Sequence, residues 1–273
     1  MRMFFAITAI GAFALTALAA DTTKTVAPGN MAGWLFYQDL TDTVDPLLGT
    51  FVLGPATPPL GVGSVQISTS GLSRPNIATY QFAGVKLTDI TTLKFATYNP
   101  SAGNGGGSQR SGYLHFNVDF NGTDTWQRRL VYVPANNGTV VQNTWKEWDT
   151  INAGTALWGW SGWSTTNPWP DGYTSPLRSW SSILTAFPNA RIRATDSFLG
   201  IRVGEPYPDG YTENIDSFKF GTAAGTTTFN FDPFVVATDK EACKNNGWMN
   251  LRRADGSSFK NQGDCIQYVN TGK

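Results

Sequence analysis

An all-β protein, a jelly-roll-type β-sandwich with one surface helix and a small disulfide-stapled C-terminal unit, is the fold this sequence predicts. Three observations carry the prediction. Short segments alternate apolar and polar residues, as in Leu114, Phe116, Val118 and Phe120 against Tyr113, His115, Asn117 and Asp119, which is the period of a half-buried strand. Clusters of Gly, Pro, Asn and Asp interrupt these segments at roughly ten-residue intervals, the spacing of strands in a sandwich. Both cysteines, Cys243 and Cys265, fall near the C-terminus, away from the aromatic-rich body of the chain.

The order of elements begins with residues 1–20. Arg2 gives a positive start, Phe4 to Leu18 an apolar run, and Ala17-Leu18-Ala19 the small-x-small pattern of a cleavage site, so the stretch reads as a secretory signal peptide. It is short for a membrane span, and the expected product is secreted, with no membrane span. Residues 21–221 are expected to form the sandwich. Gly63 to Ser68, Thr79 to Phe82, Leu93 to Tyr98, Tyr113 to Phe120 and Arg129 to Val133 read as strands, as do Ala190 to Ala194, Leu199 to Val203 and Ile215 to Phe220. The Gly-rich segment from Asn99 to Gly112 lacks the Gly-Lys-Ser/Thr ending of a phosphate loop and reads as a surface loop. Asn121-Gly122 and Asn136-Asn137-Gly138 are turns. The single helix is expected after Ser175 and Pro176, with Leu177, Trp180, Ile183, Leu184 and Phe187 on one face before Pro188. Residues 222–238 read as a linker, Gly/Thr-rich from Thr222 to Thr228 and with a last short extended piece over Phe229 to Pro233. Residues 239–273 read as a small unit in which Thr238 or Asp239 caps one short helix and Asn261 or Gln262 opens a second, around a Cys243 to Cys265 disulfide, worth on the order of 3 kcal/mol for a loop of about 22 residues.

Composition excludes several classes of function. The chain has 20 Lys and Arg against 20 Asp and Glu; without Arg2 the balance is 19 − 20 = −1. Such neutrality argues against nucleic acid as a partner. One His and two cysteines leave too few ligands for a usual zinc site, and no metal site or obligate cofactor is expected. Asp39, Asp42, Asp45 and Asp216 offer hard oxygen ligands for a structural calcium, although no EF-hand spacing is present. Oligomeric state is not legible.

Seven tryptophans, Trp145, Trp148, Trp158, Trp160, Trp163, Trp169 and Trp180, crowd one stretch. Within it Pro168-Trp169-Pro170-Asp171-Gly172-Tyr173-Thr174 is echoed by Pro206-Tyr207-Pro208-Asp209-Gly210-Tyr211-Thr212. Each copy is a stiff Pro-Asp-Gly turn between aromatics. A flat apolar ring beside a carboxylate suits a sugar, so Trp158, Trp160, Trp163, Trp169, Asp171, Tyr173, Tyr207, Asp209 and Tyr211 form the candidate ligand-binding set, with an extracellular polysaccharide as partner. The competing reading is that these are ordinary turns whose aromatics cover the sheet edges. No catalytic residue is assigned. Glu147-Trp148-Asp149 resembles part of the E-x-D-x-x-E strand of retaining glucanases, but Asn152 stands where the second Glu is needed. A glycan-active enzyme built on Glu147 is the alternative to binding, and a structural envelope protein is the third reading.

Two stretches carry a family resemblance. Lys240 to Trp248 (K-E-A-C-K-N-N-G-W) with Phe259 to Thr271 (F-K-N-Q-G-D-C-I-Q-Y-V-N-T) resembles a two-cysteine module at the C-termini of exported bacterial proteins. Gly54 to Ser64, the W-x-x-W-D of Trp145 to Asp149, and the turn near Pro188 to Arg191 are similar to uncharacterised secreted bacterial domains. The resemblance implies an exported bacterial protein and carries over no catalytic residue.

Overall fold

Inward-facing aromatics on two sheets hold this chain together. The computed structural model describes residues 20–102, 104, 107–123, 128–195, 197–204 and 210–273. The signal-peptide reading therefore lies, except for Ala20, outside the described residues. Among those residues the strands form two large sheets. In the seven-stranded sheet Thr22–Val26, Gly225–Phe231, Tyr211–Thr222, Gly63–Thr69 and Gly49–Leu53 lie in that order. Thr92–Tyr98 pairs with Tyr211–Thr222 and carries Trp145–Asp149 on its other side. In the nine-stranded sheet the order is Leu177–Ser179, Leu157–Trp160, Arg128–Tyr132, Tyr113–Asp119, Leu199–Arg202, Pro75–Thr79, Trp34–Gln38 and Thr43–Val44. Arg191–Ile192 also pairs with Tyr113–Asp119. Pairing in both sheets is antiparallel apart from Thr22–Val26 with Gly225–Phe231. The chain crosses between sheets again and again, as the jelly-roll prediction requires.

The alternation read in the sequence sets the layers. Leu114, Phe116 and Val118 are fully buried between the sheets. From the nine-stranded side, the Trp34 indole meets Phe218, Phe229 and Phe231 edge-on at centroid distances of 5.0, 5.4 and 5.1 Å. Edge-to-face contacts of this kind add to the burial of large rings. Trp148 points inward and donates its Nε1–H to Thr97 Oγ1 at 2.9 Å, which satisfies the one polar atom its burial would strand.

Three local expectations are corrected. Residues 222–238 are not a linker: Gly225–Phe231 is a strand between Tyr211–Thr222 and Thr22–Val26, because Phe229 and Phe231 alternate into the core. The helix starts later than Ser175, at Trp180, with Ser179 Oγ accepting from Ser182 N; Leu177–Ser179 is instead an edge strand on Leu157–Trp160. The strand expected over Thr79 to Phe82 lies at Pro75–Thr79, and Tyr80 to Ala83 is a turn.

At the C-terminal end Asp239, rather than Thr238, and Asn261, rather than Gln262, cap the helices Lys240–Cys243 and Gln262–Thr271. Cys243 is bonded to Cys265, and both pack with Ala237, Leu251 and Phe259 in a small cluster of their own. Arg253 lies 4.6 Å from the Phe259 ring and donates to Asp264 at 2.6 Å. Among the described residues no helix is long and apolar enough to cross a membrane.

Candidate functional site

The loop platform expected from the tryptophan-rich stretch is turned inward. Trp158 is fully buried against Phe116, Tyr132 and Trp180 and donates to Thr150 O at 2.8 Å. Trp169 is buried, stacks on Trp160 at 6.0 Å and donates to Ser175 O. Trp160 is buried as well, beneath the Arg128 guanidinium, and Trp163 packs half-buried against the same core. Tyr211 is buried and donates its hydroxyl to Glu213. Trp158, Trp160, Trp169 and Tyr211 are therefore core residues and Trp163 borders the core, a correction with a simple cause: a large ring removes more apolar area from water by packing into the sandwich than by facing a solvated sugar.

Asp171 and Tyr173 do reach solvent, but Arg178 has claimed them. Its Nη1 donates to both Asp171 oxygens at 2.9 and 2.8 Å, and its guanidinium carbon lies 4.4 Å from the Tyr173 ring. Burial opposes ionisation of Asp171, but the Arg178 hydrogen bond and the Tyr173 backbone N–H outweigh it and hold its pKa below the usual carboxylate range. Tyr207 and Asp209 lie outside the described residues.

The carboxylates of the glucanase-like strand face outward from the seven-stranded sheet. Lys219 Nζ donates to Glu147 at 2.5 Å, and Lys94 Nζ lies 3.6 Å from Glu147 and 3.0 Å from Asp149. The calcium candidates are scattered in role. Asp45 caps a turn at Leu47, Asp42 accepts from the Tyr37 hydroxyl, and Asp216 accepts from Leu60 N and Phe231 N. Among the described residues no three His, Cys, Asp or Glu side chains gather as a metal cage.

The fourth of those acids, Asp39, anchors what the sequence did not show. Tyr113–Asp119 turns His115 and Asn117 to the outer face of the nine-stranded sheet, as its alternation predicts. Cross-strand register then places Val131, His115, Gly200, Ala78 and Leu35 in one row, and Tyr113, Arg202, Asn76 and Tyr37 in the next. Gly200 and Ala78 leave a hollow that the Phe198 ring fills; a Cβ on Gly200 would sit 3.0 Å from that ring. Phe198 in turn covers His115 edge-on at 5.4 Å and packs on Tyr37 at 4.5 Å.

Around this hollow runs a network of charged and polar groups. Asp39 follows the strand Trp34–Gln38, and its side chain is only 4% exposed. Arg129 grips both its oxygens, Nη2 to Oδ1 at 2.6 Å and Nη1 to Oδ2, while Arg202 Nη1 donates to Oδ2 at 2.9 Å. Arg129 Nε also donates to Asn117 Oδ1 at 3.1 Å, and His115 Nε2 pairs with Asn76 Oδ1 at 2.7 Å. Burial opposes the charge on Asp39, but the hydrogen bond and charge of Arg129, with the charge of Arg202, hold its pKa below the ordinary value. Burial pushes the His115 pKa well below that of a free imidazole, and the neighbouring arginine charges reinforce the shift. The result is a neutral imidazole, an ionised carboxylate and two arginines on one sheet face. Chemically, the arrangement can donate hydrogen bonds from a fixed guanidinium and offer aromatic surface at Tyr113 and Tyr80; His115, 1% exposed, cannot reach a substrate proton.

Asp39, Asn76, Arg129 and Arg202 come from four separate stretches of chain, so no local motif joins them. The one legible signal was the polar half of Tyr113 to Phe120. Comparison with protein-family models, curated proteins and solved structures finds no match for this chain.

Proposed function

We propose that the protein is an exported, non-catalytic carbohydrate-binding sandwich that meets a polysaccharide with the outer face of its nine-stranded sheet. The observation that carries this reading is the Asp39 anchor, which buries its own charge while fixing two guanidiniums on that face. Arg129 remains 25% exposed; three of its five N–H groups go to Asp39 and Asn117, and the other two are what it can offer an acceptor. Sugar hydroxyls and uronate carboxylates are such acceptors. Tyr113, which the Arg202 guanidinium approaches to 5.5 Å, and Tyr80, 43% exposed beside Phe198, supply ring surface for the C–H face of a sugar. A buried ion network is a costly way to cover a sheet face, which supports a role beyond packing. The leader pattern of residues 1–20 and the disulfide support export.

The test is a pull-down on neutral and acidic polysaccharides with reducing sugar assayed in the same tubes. Retention of the protein without sugar release is expected. Sugar release would replace this reading with the enzymatic one.

A further inference from the structure

The outer face of the seven-stranded sheet carries one uncharged row of side chains. Cross-strand register sets Thr50, Gln66, Asn214, Tyr98 and Trp145 opposite one another on five adjacent strands. Val65, Ile215 and Thr97, next to them in the chain, are buried between the sheets, so strand alternation turns the row outward. At about 4.8 Å per strand the row is roughly 19 Å long. It lies in a shallow groove. On one side the loop from Leu53 to Gly63 crosses the sheet, held by Leu60 N donating to Asp216 Oδ2 at 3.0 Å and by Trp145 Nε1 donating to Pro55 O at 2.8 Å. On the other side the exposed Ser68 hydroxyl pairs with that of Thr212 at 2.8 Å. Beside Thr50, Gln66 and Ser68 the surface is hollowed by about 160 Å³.

Three features specify the occupant. Trp145 spends its only polar atom on Pro55 and packs on Tyr98 at 5.6 Å. Both rings are half-buried, and what Trp145 shows to solvent is apolar surface, the complement of a sugar's C–H face. Gln66 makes one long hydrogen bond, Nε2 to Asn214 Oδ1 at 3.4 Å. Together with the exposed hydroxyls of Thr50 and Ser68 it offers donors and acceptors side by side, as a ligand covered in hydroxyls requires. The charges next to the row are already matched, Lys94 and Lys219 with Glu147 and Asp149. A carboxylate-bearing sugar would therefore lose hydration here without gaining a counter-charge.

We propose that this groove is a second glycan site, which takes a linear, uncharged chain of equatorially linked pyranoses along the row. Equatorial linkages keep such a chain extended, as the row is. Its sugar faces lie on Trp145 and Tyr98, and its hydroxyls meet Gln66, Thr50 and Ser68. The site is separate from the nine-stranded face and stands whether or not a polysaccharide binds there. With a site on each sheet the protein joins two glycan chains. On an immobilised polymer the two sites act with avidity, so loss of either weakens retention.

The experiment titrates cellohexaose, xylohexaose and hexagalacturonate calorimetrically into the full chain carrying Tyr113→Ala, so that the nine-stranded face contributes nothing. At least one of the two neutral hexasaccharides should bind, and hexagalacturonate should bind about tenfold more weakly or not at all. Adding Trp145→Ala should weaken the neutral ligand by about tenfold or more, as truncation of an aromatic anchor does, and Gln66→Ala should weaken it about threefold. No binding of either neutral hexasaccharide, hexagalacturonate binding as tightly as they do, or unchanged affinity in folded Trp145→Ala would each overturn the proposal. If that variant does not fold, Gln66→Ala decides in the same way. None of these outcomes depends on the nine-stranded face, whose own failure is read from Tyr113→Ala and Arg129→Gln on the polymer.

Discussion

The loop end and the outer sheet face use the same parts, an aspartate, arginine and aromatic rings, in inverted order. At the loop Arg178 is the buried member, 6% exposed, and Asp171 the outward one at 33%. On the face Asp39 is the buried member, and the 25% exposed Arg129 points outward. A buried arginine that spans Asp171, Trp169 and Tyr173 spends its donors and its flat surface inside the protein. A buried aspartate holds two arginines in place, and although Arg202 stays buried with it, Arg129 is left part-exposed with N–H groups to spare. The first arrangement locks a turn; the second presents a donor.

That contrast can be broken most severely at the buried rings of the loop end and at Asp39. Trp158→Ala, or Trp169→Ala in the loop itself, should cost about 3–5 kcal/mol in denaturant unfolding, and an unchanged midpoint would return the rings to a binding surface. Asp39→Asn should cost about 3 kcal/mol, because two buried or half-buried guanidiniums lose their counter-charge. A neutral outcome there would remove the anchor from the account.

A smaller effect separates interior acids from the face. Glu213 accepts from the Tyr211 hydroxyl, Gly112 N and Ser111 Oγ at 3.1 Å, yet burial pushes its pKa up to about 7. Burial, with the Asp232 charge, likewise raises Asp216 to about 7. A carboxyl with a raised folded-state pKa keeps its proton where the unfolded chain has lost it, so stability falls as pH rises toward and through 7. Buried neutral His115 acts in the opposite sense, with an effect that sets in near neutral pH and grows below about pH 6.5 as the unfolded imidazole takes up a proton. Between pH 8 and 6.5 the two carboxyls outweigh the single imidazole, and Tm should rise by about 3 °C on acidification. Glu213→Gln should reduce that slope; an unaltered slope would mean that Glu213 is ionised in the fold.

The smallest effect on the sandwich is expected from the C-terminal unit. Reducing the Cys243 to Cys265 bond should loosen the cluster around Leu251 and Phe259, seen as faster amide exchange in residues 239–273, with the main unfolding transition shifted by less than about 1 °C. Cooperative loss of both would show that the two clusters fold as one.

The sequence revealed layers better than sites, for physical reasons. Period-two alternation places Leu114, Phe116 and Val118 in the core because strand geometry is local, and the caps at Asp239 and Asn261 were legible because a cap needs only its own turn. Of the strand Gly225–Phe231 only the Phe229–Phe231 end was legible as extended; its Gly and Thr content hid the rest, since what makes it a strand is pairing on both sides rather than propensity. The repeated Pro-Asp-Gly turn was real as chemistry in its first copy, but a turn motif does not say which way its aromatics face. Trp169 faces inward because Trp160 and Arg178 wait there, and neither is implied by the motif. Asp39 with Arg202 spans 163 positions, a separation at which only the folded register makes neighbours.

The most direct test compares retention on immobilised neutral and acidic polysaccharides for the wild-type chain, Arg129→Gln, Tyr113→Ala and Tyr173→Ala. Retention of the wild type and of Tyr173→Ala, with at least tenfold weaker binding of Arg129→Gln and Tyr113→Ala, is the expected result. Loss of binding in Tyr173→Ala with the two sheet-face variants unaffected would place the ligand on the loops and contradict the account.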